Sequence, residues 1–300
     1  TDGNSIGVVT AVQADGKILV GGNFAFANGT EKFGLVRLNS DGSLDNTFNV
    51  GGVGPNSIVY EIKVLGDGKI IIGGGFGTYN GTTIQGLARL NSNGTLDTTF
   101  NVGGVGVQGA VQGISIQADG KYVLTGGMNA YNGTPKFSVI RVNTDGTLDT
   151  SFTSPFAGQV FVEQSGLQTD GKIIIGGQFA TGAYNNFARL TTTGALDTTF
   201  NAGSTGSSGP IFQTHVLADN KILLGGPFGA INGTARNGMA RLNADGTLDA
   251  TFTPSPTNFN SPEYVAVKPN GQYVYAGDLR DNAGDFFPIA LVNTDGSLDG

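Results

Sequence analysis

Gly34-Leu35-Val36-Arg37-Leu38-Asn39-Ser40-Asp41-Gly42-Ser43-Leu44-Asp45-Asn46-Thr47-Phe48 decides the fold of this chain, because the stretch returns. Its Arg-Leu-Asn-x-Asp-Gly-x-Leu-Asp portion, Arg37 to Asp45, has counterparts ending at Asp97, Asp149, Asp197, Asp249 and Asp299. Working upstream, an Asp-Gly-Lys turn stands at Asp15-Gly16-Lys17, Asp67-Gly68-Lys69, Asp119-Gly120-Lys121 and Asp170-Gly171-Lys172. It persists in altered form at Asp219-Asn220-Lys221 and Asn270-Gly271-Gln272, giving spacings of 52, 52, 51, 49 and 51 residues. Internal self-similarity at such a period is the signature of a repeat architecture.

In the first repeat, Val8 to Gln13 and Lys17 to Gly22 flank a three-residue loop in which Gly16 can take the left-handed conformation of a bulged hairpin, a register that sets Val12 opposite Ile18. Both faces of these strands are apolar, as expected of a sheet sandwiched between neighbours. Asn28-Gly29-Thr30, repeated at Asn80, Asn132 and Asn232, marks the turn between the second and third strands. Ser40-Asp41-Gly42 then leads into a short fourth strand, Ser43 to Phe48. Four antiparallel strands per repeat, six repeats and no 3.6-residue apolar period predict an all-β, six-bladed β-propeller. The repeats run over about 1–48, 49–100, 101–152, 153–200, 201–252 and 253–300 of one domain. The opening on Thr1 and the stop at Leu298-Asp299-Gly300, where five earlier repeats continue to Phe, imply a piece of a longer polypeptide.

Two columns carry packing. Gly22, Gly74, Gly126, Gly177, Gly226 and Gly277 are each followed two residues later by Phe24, Phe76, Met128, Phe179, Phe228 and Leu279, a close approach beside a large apolar group. The second column is charged. With the Ser40-Asp41-Gly42 loop, Arg37 lies across from Asp45, and the same separation joins Arg89 to Asp97, Arg141 to Asp149, Arg189 to Asp197 and Arg241 to Asp249. Five cross-strand ion pairs are predicted. The sixth repeat has Leu291 in place of Arg, leaving Asp299 unpaired; it and the fourth repeat, with Thr191-Thr192-Thr193-Gly194, are the expected irregular members.

The Gly34 to Phe48 pattern resembles the delta-60 repeat, found in bacterial and phage-associated propeller-like proteins, and the resemblance covers essentially the whole chain. It implies a module of a large exported, surface or tail-type protein and brings no catalytic residues with it.

Composition narrows the function. The chain has 51 Gly, no Cys and a formal charge of −7 that resides mostly in turn Asp residues, and its 16 Lys and Arg are too few and too dispersed for a phosphate-binding stripe. Nucleic acid is therefore not an expected partner. No apolar run approaches the ~18 residues of a membrane span, so no membrane insertion is expected.

The one histidine, His215, aligns with Ala11, Lys63, Ser115, Gly166 and Ala266, and no Gly-x-Ser-x-Gly elbow accompanies it. The four Glu, at 31, 61, 163 and 263, are scattered through different repeats. Asn39-x-Asp41-Gly42-x-x-Asp45 resembles an acidic calcium loop but lacks the leading Asp and the distal Glu, and a side-chain-capped turn explains it. Gly73 to Gly77 lacks the Lys-Ser/Thr of a phosphate loop, and the Asn-Gly-Thr sites read as turns rather than glycan acceptors. No catalytic, cofactor or metal residues are assigned, and the chain is read as not an enzyme.

The connections after the fourth strand vary in length and chemistry, which suits a binding face; Phe156, Phe161, Phe259 and Tyr264 are its candidate contacts. The reading is a non-catalytic structural or binding module of an extracellular, cell-surface or virion assembly, such as a phage tail or capsid accessory protein or a bacterial surface protein. Its partners would be other protein subunits. The alternative is a carbohydrate-binding propeller acting as an adhesin on surface glycans, and a glycan-processing enzyme stands third.

Overall fold

The computed structural model describes residues 6–181, 184–254, 261–280 and 286–299, which form strands and turns with no helix among them. The chain divides into two compact units, Thr1–Thr150 and Ser151–Gly300. In the first, three antiparallel three-stranded sheets follow one another, Ile6–Val12, Ile18–Asn23 and Leu35–Leu38; Val59–Val64, Ile70–Gly74 and Leu87–Leu90; Gly113–Ile116, Tyr122–Thr125 and Val139–Val142, and a fourth, smaller one in the third repeat joins Val107–Gly109, Met128–Tyr131 and Thr134–Pro135. The second unit has three more: Phe161–Leu167, Ile173–Thr181 and Tyr184–Leu190; Gln213–Val216, Ile222–Gly225 and Met239–Leu242; Ser261–Val267, Tyr273–Arg280 and Phe286–Val292. In each sheet the second strand is central.

Turn chemistry sets the register. Gln13 N–H donates to the Lys17 carbonyl at 2.8 Å and Gly16 N–H to the Gln13 carbonyl at 2.9 Å. Gly16 sits at φ +80°, and Val12 pairs with Ile18. Asn28 and Gly29 both have positive φ, 49° and 77°, as a tight type I′ turn demands. That turn closes a separate small hairpin, Phe26–Ala27 with Thr30–Glu31, between the second and third strands. Repeats four and six have no Asn-Gly here, and their second and third strands instead continue pairing as far as Thr181 with Tyr184 and Arg280 with Phe286. Repeat four is otherwise regular, since its Thr-rich second turn keeps the Gly194 N–H to Thr191 carbonyl bond at 3.0 Å.

The expected fourth strand is corrected: it is a single bridge, Leu38 opposite Leu44, repeated as Leu90 with Leu96 and Leu242 with Leu248. The cause lies in Asp45. Its carboxylate accepts the Thr47 N–H at 2.9 Å and its carbonyl the Phe48 N–H at 3.2 Å, so the chain curls away from the sheet one residue after the bridge.

Within each unit the cores lie between the sheets of consecutive repeats. One face of the first repeat (Leu19, Leu35, Phe48) packs on the opposite face of the second (Ile70, Ile72, Ala88, Leu90). The same pattern joins Ile71, Leu87 and Phe100 to Tyr122, Leu124, Ile140 and Val142. In the second unit, Ile174, Phe187 and Phe200 meet Ile222, Leu224, Ala240 and Leu242, and Leu223, Met239 and Phe252 meet Tyr273, Tyr275, Ala290 and Val292. Within each unit the middle repeat thus supplies half of two cores, and stability accrues at the junctions.

Of the paired glycines, the first makes the approach between repeats: a Cβ on Gly73 would stand 2.7 Å from Val111 Cγ1. The second fits within its own repeat, where a Cβ on Gly74 would stand 2.2 Å from the Ile58 carbonyl oxygen. Gly74→Ala is accordingly expected to force two backbone segments apart and cost about 1–3 kcal/mol, read as a lower urea midpoint.

Candidate functional site

The charged column closes into a recurring three-residue cluster. Arg37 Nε lies 2.8 Å from Asp45 Oδ2, and the corresponding distances are 2.8 Å for Arg89 and Asp97, 2.8 Å for Arg141 and Asp149, 2.9 Å for Arg189 and Asp197, and 2.7 Å for Arg241 and Asp249. The same carboxylate oxygen takes a second cation. Lys17 Nζ is 2.8 Å from Asp45 Oδ2, and Lys69, Lys121, Lys172 and Lys221 hold Asp97, Asp149, Asp197 and Asp249 at 2.7, 2.8, 3.0 and 2.9 Å. These are the lysines of the Asp-Gly-Lys turns. Asp45 Oδ1 is occupied as well, by the Thr47 N–H and hydroxyl.

The guanidinium does two further things. It lies over the phenylalanine that ends its repeat, Cζ standing 4.6 Å from the ring centroid for Arg37 on Phe48 and for Arg89 on Phe100, 4.7 Å for Arg189 on Phe200 and 4.9 Å for Arg241 on Phe252. Such cation–π stacking strengthens as water is excluded. Its Nη1 also donates to a carbonyl of the following repeat: Arg37 to Ser92 at 2.6 Å, Arg89 to Thr144 at 2.6 Å, Arg189 to Ala244 at 2.9 Å and Arg241 to Thr294 at 2.6 Å. The cluster therefore belongs to the joint between repeats.

Burial alone would raise the pKa of Asp45, Asp97, Asp197 and Asp249. The hydrogen bonds from lysine, threonine and, at Asp45, Asp97 and Asp249, arginine outweigh it, and all four are held well below the ordinary carboxylate range; at Asp197 the charge of Arg189 assists. Below about pH 4 the unfolded chain binds more of these protons than the folded one, so stability present at neutral pH is lost as pH falls through that value toward the lower folded pKa values. Urea midpoints are expected to fall steeply below about pH 4 and to be flat between pH 5 and 7 as far as these groups are concerned.

The sixth repeat lacks both cations. Asp299 is not left bare, however, because Gln272, which stands in place of the lysine, donates its Nε2–H at 3.0 Å. Asp299 thus has no cation among the described residues and accepts a hydrogen bond from an uncharged amide instead.

A second recurring cluster was not foreseen. Asn49 and Asn80 exchange side-chain amide hydrogen bonds at 3.1 and 2.7 Å, as do Asn101 with Asn132 at 3.2 and 2.7 Å and Asn201 with Asn232 at 3.0 and 2.7 Å. Asn49, Asn101 and Asn201 all have positive φ. The pair explains the glycine two residues on from Val102: a Cβ on Gly104 would stand 2.3 Å from Asn101 Oδ1. The signal was the recurrence of Asn immediately after the terminal Phe at 49, 101 and 201.

The turn aspartates are spent locally. Asp41 Oδ1 accepts the Ser43 N–H at 2.9 Å and its hydroxyl at 2.6 Å, bonds that lower the Asp41 pKa. No group of three His, Asp or Glu able to hold a metal occurs among the described residues. Among the former chemical candidates, Glu61 is buried beside Lys63 Nζ at 2.9 Å, and His215 pairs with Leu223 in the sheet of repeat five.

The candidate contact aromatics separate. Phe156 is buried and meets Phe179 edge-on at 5.3 Å, so it is corrected to a packing residue, drawn in by an apolar ring partner on the neighbouring strand. Phe161 and Tyr264 are 52% and 44% exposed. Phe259 lies outside the described residues. In the first repeat an open cleft of about 160 Å³ is bounded by Lys32, Val36, Arg37, Leu44, Asp45 and Phe48, among others.

The profile of a family described as "Domain of unknown function (DUF5122) beta-propeller" matches five segments, 13–48, 65–100, 117–152, 168–200 and 217–252. No curated protein matches the chain in sequence. Among solved structures the chain is similar to virginiamycin B lyase from Staphylococcus aureus, at 15% identity and TM-score 0.60 over 97% of this chain and 82% of that one. It is similar to PorZ, a bacterial surface component of the type-IX secretion system of Porphyromonas gingivalis, at 12% identity and TM-score 0.58 over 99% of this chain and 42% of PorZ. A protein of unknown function from Bacteroides caccae aligns at 13% identity and TM-score 0.50, covering 94% and 91%. At these identities the likeness is one of fold.

Proposed function

The chain belongs to the family described as a domain of unknown function (DUF5122) beta-propeller, and from that premise we propose that its six repeats are six blades of a non-catalytic structural or binding module. The repeats are of the delta-60 type by their Gly34 to Phe48 pattern. One observation carries the reading: the recurring charged groups are consumed at the joints between repeats, the carboxylates of Asp45, Asp97, Asp197 and Asp249 each taking a lysine, an arginine and a threonine. Groups so engaged hold a scaffold and are not poised for proton transfer or nucleophilic attack. What differs from repeat to repeat is the set of connections, the surface on which a rigid fold carries recognition.

The module would work outside the cell or on its surface, or in a virion, against other protein subunits of an assembly. The cysteine-free, Gly-rich composition supports this setting. Exposed Phe161 and Tyr264 favour one second reading, stacking on a surface glycan as a lectin-like adhesin would.

A defined oligosaccharide array, probed with the folded chain and with Phe161→Ala and Tyr264→Ala, separates the readings. The scaffold reading expects no saturable binding and no cleavage of any arrayed glycan. Saturable binding lost in either variant would establish the lectin reading in its place, and turnover of a glycan would overturn the non-catalytic one.

A further inference from the structure

The Asn-Gly turns at Asn80-Gly81, Asn132-Gly133 and Asn232-Gly233 carry a reaction as well as a shape. A glycine has no side chain to obstruct its nitrogen, so Asn-Gly is the dipeptide most open to attack of the following backbone nitrogen on the asparagine side chain. In these three turns the nucleophile is unhindered. Gly81, Gly133 and Gly233 are exposed, and no atom would come within 4 Å of a Cβ on any of them. Their N–H groups donate to nothing among the described residues.

The fold restrains the other reactant, the side-chain amide. Asn80 Oδ1 accepts the Asn49 Nδ2–H at 3.1 Å and the Gly54 N–H at 2.8 Å, and Asn80 Nδ2 donates to Asn49 Oδ1 at 2.7 Å. Asn132 makes the same three bonds with Asn101 and the Gly106 N–H, and Asn232 with Asn201 and the Gly206 N–H. In each case the asparagine of a small hairpin is fastened to the connection that leads into its own repeat.

The two partners also come and go together. From the second repeat on, Asn follows the terminal Phe at 49, 101 and 201, ahead of the repeats whose small hairpin has Asn-Gly. Repeats four and six lack Asn-Gly there, and the residue after the preceding Phe is Thr153 or Thr253. No Asn-Gly turn of this hairpin stands in those repeats without its covering asparagine.

We propose that Asn80, Asn132 and Asn232 are latent deamidation sites, kept closed by the paired asparagine and opened when the connection lifts. Once released, the side chain turns on its own glycine. The Gly81 nitrogen gives up its proton to base and attacks Asn80 Cγ; the N–Cγ bond forms, the Cγ–Nδ2 bond breaks, and Nδ2 takes a proton from water and leaves as ammonia. Water then opens the cyclic imide at either carbonyl, giving aspartate or the isomer whose backbone runs through Cβ and Cγ. Either product makes the release one-way. An ionised acid at position 80 has no hydrogen to give Asn49 Oδ1, and the isomer puts an extra backbone atom into the tight turn between paired Tyr79 and Thr82. The modification would therefore loosen a connection for good, on the surface where recognition is proposed above, yet the inference does not depend on what that surface binds.

Peptide-level mass spectrometry of the folded chain held in warm, mildly alkaline buffer tests it, with the chain in concentrated guanidinium chloride as the reference for unrestrained rates. In the folded parent, conversion at positions 80, 132 and 232 should be at least about tenfold slower than in the reference. Asn49→Gly removes the partner amide and keeps the left-handed backbone that Asn49 adopts at φ 51°. It should speed conversion of Asn80 at least about tenfold and leave Asn132 and Asn232 at their parent rates. Asn101→Gly should do the same for Asn132 alone. Asn80→Asp, which makes the direct product, should lower the urea midpoint. Conversion as fast in the folded parent as in the reference, no rise at the released site, or an equal rise at all three sites in both glycine variants overturns the proposal. An unchanged midpoint in Asn80→Asp overturns the one-way loosening. Glycan binding is read separately, so the lectin reading could displace the scaffold one while the deamidation sites stand.

Discussion

Asp97→Ala should lower the unfolding free energy by about 3–5 kcal/mol, the range for removing one partner of a buried ion pair. Asp97 is 5% exposed and receives Lys69 Nζ at 2.7 Å, Arg89 Nε at 2.8 Å, and the Thr99 N–H and hydroxyl at 3.0 and 2.6 Å. Truncation leaves a guanidinium without its anion at the joint, and the Nη1 bond to Thr144 and the stacking on Phe100 lose the group that aims them. The control is Asp299→Ala. There the carboxylate is exposed and, among the described residues, bound by Gln272 alone, and the change should stay within about 0.5 kcal/mol. Equal losses at the two positions in urea denaturation would show that the Asp column acts through its turn and not through its cations.

Phe200→Ala carries an expected loss of about 3–5 kcal/mol, that of deleting a fully buried aromatic ring from a core that collapses incompletely. The ring is wholly buried, meets Phe187 edge-on at 6.3 Å, lies under Arg189 and fills the space at Gly246. Phe200→Leu keeps most of the volume and should cost less than about 1.5 kcal/mol. Calorimetry of the pair divides packing from aromaticity. A leucine variant as weak as the alanine one would assign the larger share to the guanidinium and edge-on contacts.

These two sites also show what sequence can and cannot reveal. The Arg-to-Asp partnership was readable because both residues flank one short turn, and a three-residue loop with Gly at positive φ fixes who faces whom. Lys17 is 28 residues from Asp45 and arrives by way of the central strand, so a turn lysine gave no local hint of its partner. A signal did exist, since the lysine and the arginine vanish together in the sixth repeat, at Gln272 and Leu291. The fourth strand shrinks to a bridge because strand propensity in Ser43 to Phe48 competes with the capping of Thr47 by Asp45, and the charge-assisted bond wins. Phe156 and Phe161 are alike in sequence, and only the position of Phe179 decides which of them is buried. Function was the least legible, because the recurring residues serve the joints and the varying ones have no internal counterpart to compare.

The arginine that crosses from one repeat to the next spans 55 residues at the first two joints and at the fourth-to-fifth, and 53 at the fifth-to-sixth. The sequence separation that must close to form a joint is thus set by the repeat and not by the length of the chain. Folding speed falls as contacting residues become more distant along the chain, so assembly can start at any pair of neighbours and spread one joint at a time. Gene duplication that adds repeats would leave the entropic cost of closing each joint unchanged, and such chains can lengthen without becoming slower to fold at each step.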